Sequence, residues 1–199
     1  MTKTLEAYKK GELLLIDKPL KWTSFQVVNK IRWHIRKTFD IKKIKVGHAG
    51  TLDPLATGLL MICTGKMTKQ IEKFQAQTKE YSGTITLGSS TPSYDLETAI
   101  DQRFATHHIT KPLIIKTAKE FEGEIMQYPP LYSALKKDGK RLYEFARAGE
   151  EVTISARQIN VYSFKITDIK NLEVDFQIKC SKGTYIRSLA HDFGKALKS

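Results

Sequence analysis

Apolar and polar positions along the chain switch several times between the spacing of strands and the spacing of helices. The helical spacing is clearest after Thr23 and Ser24, either of which can cap the first turn of a helix that runs to about Phe39. The apolar residues that repeat there at helical spacing are Val27, Val28, Ile31 and Ile35. Lysine and arginine occupy the intervening positions, so this helix is predicted to bury one face and to expose the other.

The same patterning predicts elements along the rest of the chain. Strands are predicted at residues 12–17, 58–64, 81–87, 157–167 and 172–181, and further helices at residues 67–75, 111–121 and 184–197. Strands and helices alternate irregularly, without a repeated strand–helix–strand rhythm. This order indicates an α+β fold with a mixed, mainly antiparallel central sheet flanked by helices and loops.

Length and charge narrow the possible functions. With 199 residues and no linker-like stretch, the chain is predicted to form one domain, residues 1–199. Its net charge of +12 suits a polyanion such as nucleic acid, or an anionic membrane. The first apolar run, residues 13–16, is too short for a signal peptide or a membrane span, so we expect a cytoplasmic protein that does not enter a membrane. Cys63 and Cys180 lie in or beside apolar strands and are expected to be reduced and buried.

One loop carries the strongest chemical signal. Residues 45–60, KVGHAGTLDPLATGLL, combine glycines and small polar residues with a single carboxylate, Asp53. Glycine allows sharp turns and the close approach of a ligand, and Pro54 fixes the chain directly after the aspartate. Asp53 can therefore cap a short helical turn, which the residues alone favour, or it can be held in place for catalysis.

The string GHAGTLDPLATGLL resembles the signature of the TruB family of pseudouridine synthases. Four further strings resemble the motifs of that family in the same order. They are LLLIDKPLKWTS from residue 13, KEYSGTITLGSSTPSYD from residue 79, YPPLYSALKKDGKRLYEFARAGEEV from residue 128, and CSKGTYIRSLAHDFG from residue 180. The resemblance covers residues 11–195 and implies the pseudouridine synthase fold. It also implies an enzyme that isomerises the uridine at position 55, in the TΨC loop of tRNA, to pseudouridine.

The resemblance assigns roles to individual residues. Asp53 corresponds to the essential aspartate that acts on the ribosyl–uracil bond, Tyr81 to the tyrosine that stacks on the target base, and Arg187 to the arginine that pairs with the aspartate. His48 corresponds to a histidine that holds flipped-out bases. Tyr185 lies in the active-site segment, and Lys18 and Pro19 flank the pocket.

The chemistry of pseudouridylation explains these residue types. The reaction breaks the glycosidic N–C bond, rotates the uracil and joins its C5 to the same ribose carbon, so no redox cofactor or group donor is expected. A carboxylate can add to the sugar or remove a sugar proton, and the sequence leaves both routes open. An arginine beside Asp53 would keep the carboxylate ionised. A tyrosine face can hold the detached base while it rotates.

The segment at residues 128–152 resembles the RNA-gripping insertion of the family. Lys136, Lys137 and Arg141 are its predicted contacts to the TΨC stem-loop, since cations bind phosphates and aromatic rings stack on bases. The same segment also reads as an ordinary amphipathic helix from about residue 141 to 148, and we expect both interpretations to hold in part. A second basic stretch, residues 30–45, is expected to be mainly the solvated face of a helix with some phosphate contacts.

Two alternatives to a tRNA-modifying enzyme remain at this stage. One is a guide-RNA-dependent relative that modifies ribosomal RNA, and the other is a non-catalytic RNA-binding or RNA-chaperone protein. No histidine or cysteine spacing matches a metal site, and no obligatory protein partner is expected. Members of the family continue beyond the position of Ser199, so the resemblance implies that the end of the family's catalytic domain and its PUA domain are absent.

Overall fold

The computed structural model describes residues 3–199, which fall into two compact units. The first unit extends to Gln77 and the second from Thr78 to Ser199. The elements of the first unit are α1 (Leu5–Lys10), β1 (Leu13–Lys18), α2 (Ser24–Thr38), β2 (Val46–His48), β3 (Gly58–Thr64), a 3₁₀ helix (Gly65–Gln70) and α3 (Ile71–Gln75).

The first unit is a three-stranded antiparallel sheet covered on one face by α2. Strand β3 lies between β1 and β2, and Ile16 of β1 pairs with Leu60 of β3. The hydroxyl of Thr23 accepts a hydrogen bond from the backbone N–H of Gln26 while the side chain of Gln26 accepts one from the Thr23 N–H, which completes a capping box at the start of α2. The residues that pack between sheet and helix are Val27, Val28, Ile35, Val46, Leu60 and Ile62.

The second unit contains the longer strands. Its elements are β4 (Lys79–Thr86), β5 (Ser89–Ser90), β6 (Gln102–Arg103), α4 (Lys111–Glu120), β7 (Gly123–Gln127), β8 (Lys136–Lys137), β9 (Lys140–Arg141), α5 (Leu142–Ala148), β10 (Arg157–Lys170), β11 (Glu173–Cys180) and α6 (Ile186–Ala196). Four of these strands form an antiparallel sheet in the order β4–β11–β10–β7. Two two-stranded pairs, β5–β6 and β8–β9, lie outside it.

The core of the second unit lies between its sheet and two helices. Alternate residues of β11 are buried, as period-two alternation requires. Phe164 of β10 packs against Phe176 of β11 and Phe193 of α6, with ring centroids 6.1 and 5.2 Å apart. Ile114 of α4 joins the same cluster, so α4 and α6 both close on the sheet.

The α+β prediction is confirmed, and the elements predicted from the strongest periodicity are present. The segment at residues 67–75 was predicted to be one short helix but is a 3₁₀ turn followed by α3. Helix α1, strand β2 and strands β5 to β9 were not predicted. Helix α1 buries none of its side chains and β7 buries only Gln127 fully, so neither shows a strong apolar period. Cys63 and Cys180 are free and fully buried, as expected, and burial raises the pKa of both thiols.

Candidate active site

The loop around Asp53 is fixed at several points within the first unit. The N–H of Ala56 donates to the carbonyl of Asp53 over 3.0 Å, which closes a single turn over Pro54 and Leu55. Gly58 ends the loop with a φ of 109°, a left-handed conformation that favours glycine. Its N–H donates to the carboxylate of Asp17 over 3.1 Å. The loop therefore returns directly into β3.

Lys18 lies beneath this loop and is fully buried. Its Nζ donates to three carbonyl oxygens: those of Pro19 at 3.0 Å, Trp22 at 2.6 Å and Pro54 at 3.4 Å. Burial lowers the pKa of Lys18, while the negative charge of Asp53 acts on that pKa in the opposite direction. The lysine therefore interacts electrostatically with the carboxylate of Asp53. Its hydrogen bonds also connect the residues after β1 to Pro54, which follows Asp53.

Two further contacts hold the start of α2 to the same loop. The hydroxyl of Ser24 accepts from the N–H of Leu52 at 2.9 Å and lies 3.1 Å from the Leu52 carbonyl, to which it donates. The N–H of Lys21 donates to the carbonyl of Pro54 over 2.7 Å. Hydrogen bonds therefore hold the residues on both sides of Asp53, and the backbone position from which its carboxylate extends is fixed.

His48 and Pro19 border this group. His48 ends β2, and its Nδ1 lies 2.6 Å from the carbonyl of Gly50. Because a carbonyl only accepts, Nδ1 carries the proton in this contact. Pro19 is exposed, and its carbonyl accepts from Lys18. Lys18, Pro19, His48 and Asp53 therefore all lie in the first unit, and Lys18 contacts both Pro19 and Pro54, the residue after Asp53.

Arg187 lies in the first turn of α6, in the second unit, and is largely buried. Its two terminal nitrogens donate to the carbonyls of Ser93 at 2.9 Å and Tyr132 at 3.0 Å, and its Nε lies 3.7 Å from the carboxylate of Asp95. The planar guanidinium group carries several N–H donors that point in different directions, so it can make all three contacts at once. Arg187 thereby links α6 to the connection between β5 and β6 and to the connection between β7 and β8. The sequence motif indicated the arginine but not these three partners.

Gln127 also positions this helix and was not predicted from the sequence. It is 2% exposed, and its amide oxygen accepts from the N–H of Tyr185 at 2.8 Å while its amide nitrogen donates to the Tyr185 carbonyl at 3.1 Å. The hydroxyl of Ser188 donates to the carbonyl of Tyr128 at 2.8 Å. The chain from residue 127 to 132 is therefore bound to the start of α6 through Gln127, Ser188 and Arg187. One polar residue before the YPP string was the only available signal.

Tyr81 lies on β4, opposite Ile178 of β11. It is half-buried and packs on the edge of the core of the second unit. Tyr94 and His191 form a second aromatic contact there, with parallel rings 3.8 Å apart. Burial lowers the pKa of His191. The stacked arrangement indicates a packing role for His191.

The basic insertion contains a tight hairpin. Lys136 pairs with Arg141 and Lys137 with Lys140 across a turn at Asp138 and Gly139, both in left-handed conformations. The predicted amphipathic helix is present as α5, with Leu142 fully buried. The insertion therefore anchors α5 by one buried leucine and presents a charged surface.

The cations of the hairpin divide into two groups. Lys137 Nζ donates to the carbonyl of Thr153 at 2.6 Å, and Lys140 lies 2.8 Å from Glu150 and over the ring of Phe145. Lys136 is exposed, and the exposed Arg141 lies over the ring of Tyr143, 5.8 Å from its centroid. Lys136 and Arg141 thus present their charges to solvent, whereas Lys137 and Lys140 bind residues 153 and 150 and hold the hairpin in place.

Metal-binding clusters and membrane-spanning helices are both absent from residues 3–199. These residues contain no group of three or more His, Cys, Asp and Glu side chains arranged to hold a metal ion. None of their helices combines the length and the apolar character needed to cross a membrane.

Comparison with known proteins places the chain in a family. Residues 36–186 match the model of the TruB family pseudouridylate synthase N-terminal domain. The chain is 61% identical to tRNA pseudouridine synthase B of Flavobacterium johnsoniae over 197 residues. These residues cover 98% of this chain and 86% of that protein. It is 55% identical over 192 residues to tRNA pseudouridine synthase B of Phocaeicola vulgatus, covering 96% of this chain and 82% of that protein.

The fold of this chain is also found in solved structures of other proteins. The chain superposes on one from a Cbf5–Nop10–Gar1 complex with a TM-score of 0.67 and 31% identity, covering 96% of this chain and 45% of that one. It superposes on one from an H/ACA RNP bound to a substrate RNA containing 2′-deoxyuridine with a TM-score of 0.65 and 28% identity, covering 98% and 45%. The chain thus spans less than half the length of these structural neighbours. The resemblance read from the five motifs is confirmed: the chain belongs to the TruB family of pseudouridylate synthases.

Proposed function

We propose that this protein converts the uridine at position 55, in the TΨC loop of tRNA, to pseudouridine. The observation that supports this most strongly is the 61% identity to a tRNA pseudouridine synthase B over nearly the whole chain, with the loop around Asp53 intact. The reaction is an isomerisation in which the N1–C1′ bond breaks and a C5–C1′ bond forms. The proton lost from C5 is balanced by one gained at N1, so the reaction needs no outside donor.

Asp53 is the proposed catalytic carboxylate. It adds to the ribose or removes a ribose proton, and either step requires an ionised oxygen held at a fixed position. The hydrogen bonds of Lys18, Lys21 and Ser24 to residues 52 and 54 support such a position. His48, at the end of β2 and five residues before Asp53, is the residue proposed to hold displaced bases, and the exposed Pro19 lies beside Lys18.

Tyr81 and Arg187 are the proposed partners of that carboxylate. The tyrosine ring would hold the detached uracil by stacking, which leaves the base free to rotate in its own plane. The arginine would keep Asp53 ionised, because an opposite charge nearby favours the charged form. Tyr185, bound through its backbone to Gln127, fixes the helix start from which Arg187 extends.

The hairpin at residues 136–141 is the proposed grip on the TΨC stem-loop. Flipping a stacked uridine costs a few kcal/mol, and contacts elsewhere on the RNA must supply that energy. Lys136 and Arg141 are exposed and can bind phosphates, while Lys137 holds the hairpin to residue 153. We expect the reaction to take place in the cytoplasm without an obligatory protein partner or metal ion.

The guide-RNA-dependent alternative is supported only by the fold shared with chains from a Cbf5–Nop10–Gar1 complex and from an H/ACA RNP, at 31% and 28% identity. The much higher identity to two tRNA pseudouridine synthase B proteins favours the tRNA reaction. A non-catalytic role would leave the fixed geometry around Asp53 without a purpose.

The proposed function is tested with unmodified tRNA transcript and the Asp53→Asn variant. We expect pseudouridine at the TΨC loop position with the wild-type chain and none with Asp53→Asn, while RNA affinity stays within a few-fold, because the amide keeps the shape but not the charge. Asp40→Asn is the matched control, since Asp40 is an exposed aspartate in a left-handed conformation that asparagine tolerates. Turnover by Asp53→Asn at the wild-type rate would contradict the assignment.

A further inference from the structure

The outer face of α2 carries an aromatic side chain where helix patterning predicts only polar residues. Val27, Val28 and Ile35 define the buried stripe of this helix. Trp33 lies on the opposite side, and 51% of its surface is exposed. One exposed aromatic ring is common on protein surfaces, so what matters at this position is the charge that surrounds the ring.

Two lysines flank the ring. Nζ of Lys30 lies 5.0 Å and Nζ of Lys37 lies 4.9 Å from the centroid of Trp33, at the i−3 and i+4 positions of the helix. Each contact alone is an ordinary cation–π pair. Two ammonium groups on one ring repel each other, however, and together they favour an anion between or beside them.

The surrounding sequence contains almost no acidic residues to neutralise these lysines. Residues 21–45 include eight lysines and arginines and one acidic residue, Asp40, a net +7 out of the +12 of the whole chain. The unit up to Gln77 has a net charge of +9 and the unit from Thr78 one of +3. Arg32 is engaged internally with Asn29 and the carbonyl of Val46, so Lys30, Arg36 and Lys37 supply the outward charge.

This face is also tied to the candidate catalytic loop. Helix α2 begins at Ser24, whose hydroxyl is hydrogen-bonded to Leu52, next to Asp53. Trp33 is nine residues further along the helix, about 14 Å at the α-helical rise. An RNA whose target base is at Asp53 can therefore extend as far as Trp33.

We propose that Lys30, Trp33 and Lys37, together with Arg36, form a second RNA-binding surface on α2, which we call the α2 platform. Trp33 stacks on an unpaired base outside the modified loop, and the cations bind the adjoining phosphates. The partner is RNA because only a polyanion that also carries flat π-faces uses both features of the surface. The inference rests on the proposed function, since the RNA expected there is the tRNA substrate.

The first test uses fluorescence of Trp33. Trp22 and Trp33 are the only tryptophans, so the Trp22→Phe variant reports Trp33 alone. We expect titration with tRNA transcript to quench this emission, because a stacked base contacts the indole directly. Heparin, a polyanion without bases, should bind without comparable quenching. Unchanged emission at saturating tRNA, or equal quenching by heparin, would overturn the stacking.

The second test measures tRNA affinity against salt for three variants. Trp33→Ala should bind about tenfold more weakly, as expected for one lost base–aromatic stack. Lys30→Ala/Lys37→Ala should lower the slope of log affinity against log salt by about 1.5, the sum for two phosphate contacts. Lys116→Ala/Lys119→Ala, two exposed lysines on α4, removes the same charge and should change neither quantity.

The two tests separate the α2 platform from the reaction. Thermal unfolding within about 2 °C of wild type would show that the exposed substitutions leave the fold intact. If Trp33→Ala and the α2 lysine variant bind like the α4 control, the α2 platform is wrong even when the wild-type chain forms pseudouridine. If the wild type binds tRNA through α2 but forms no pseudouridine, the proposed function fails and the α2 platform stands.

Discussion

Lys18, the last residue of β1, is a buried lysine that donates hydrogen bonds to the backbone of the residues around it. Its three acceptors are backbone carbonyls on both sides of the segment that it crosses, and it has no exposed surface. The motif predicted that Lys18 flanks the pocket, but a single lysine at the end of a strand gives no sign of burial. Lys18 is buried because the loop that contains Pro54 packs against the end of β1. This contact joins residues that are 36 positions apart in the chain.

Lys18→Met tests this arrangement, because methionine fills a similar space without a donor. We expect a loss of about 1–3 kcal/mol in the free energy of unfolding, since carbonyls of residues 19, 22 and 54 lose a buried donor. Pseudouridine formation should fall more than RNA affinity, because the loop carries Asp53. Denaturant unfolding and single-turnover assays measure the two effects.

The control for this substitution is Lys66→Met, an exposed lysine of the same unit. It removes one charge without touching the loop and should unfold within about 0.5 kcal/mol of wild type. Wild-type stability and turnover in Lys18→Met would show that the loop does not depend on these hydrogen bonds.

At the scale of elements, sequence periodicity predicted the type of most of the longer segments but not which segments pair. Helix α2, strand β11 and helix α6 have strong apolar periods and were predicted within a few residues. The order β4–β11–β10–β7 follows from contacts between distant segments, which no local period encodes. The roles of Ser93 and Asp95 also stayed hidden, because Arg187 reaches them across more than 90 residues of sequence.

Gln127 is the element-scale positioning residue, since it joins the end of β7 to the start of α6. In Gln127→Met both hydrogen bonds to Tyr185 are lost at nearly constant volume. We expect kcat to fall about tenfold or more while KM for tRNA changes less than threefold, because Arg187 is displaced but no proposed RNA contact is removed. Steady-state kinetics give this split directly.

A matched glutamine is available on the neighbouring strand. Gln158 of β10 pairs with Met126, is exposed and hydrogen-bonds Glu124. Gln158→Met should leave kcat and KM as in wild type. Equal kinetic effects from the two substitutions would refute a specific role for Gln127 in placing α6.

At the scale of the whole molecule, the net charge of +12 becomes a measurable property of RNA binding. Composition predicted a polyanion as partner but could not separate charges that face solvent from charges used within the fold. The structure makes this distinction inside the hairpin itself, where Lys137 and Lys140 bond to residues 153 and 150 while Lys136 and Arg141 point outward. Two double variants of equal charge can therefore be compared within one element.

Lys136→Ala/Arg141→Ala should weaken tRNA binding and lower the log–log salt slope by about 1.5, because two phosphate contacts and their released counterions are lost. Lys137→Ala/Lys140→Ala removes the same charge but breaks contacts to Thr153, Glu150 and Phe145. We expect a smaller change of slope there, together with faster proteolysis of the hairpin, since its bracing is lost. Filter binding between 50 and about 300 mM salt and limited proteolysis measure both quantities. Identical slopes in the two variants would mean that binding follows total charge rather than the direction in which each side chain points.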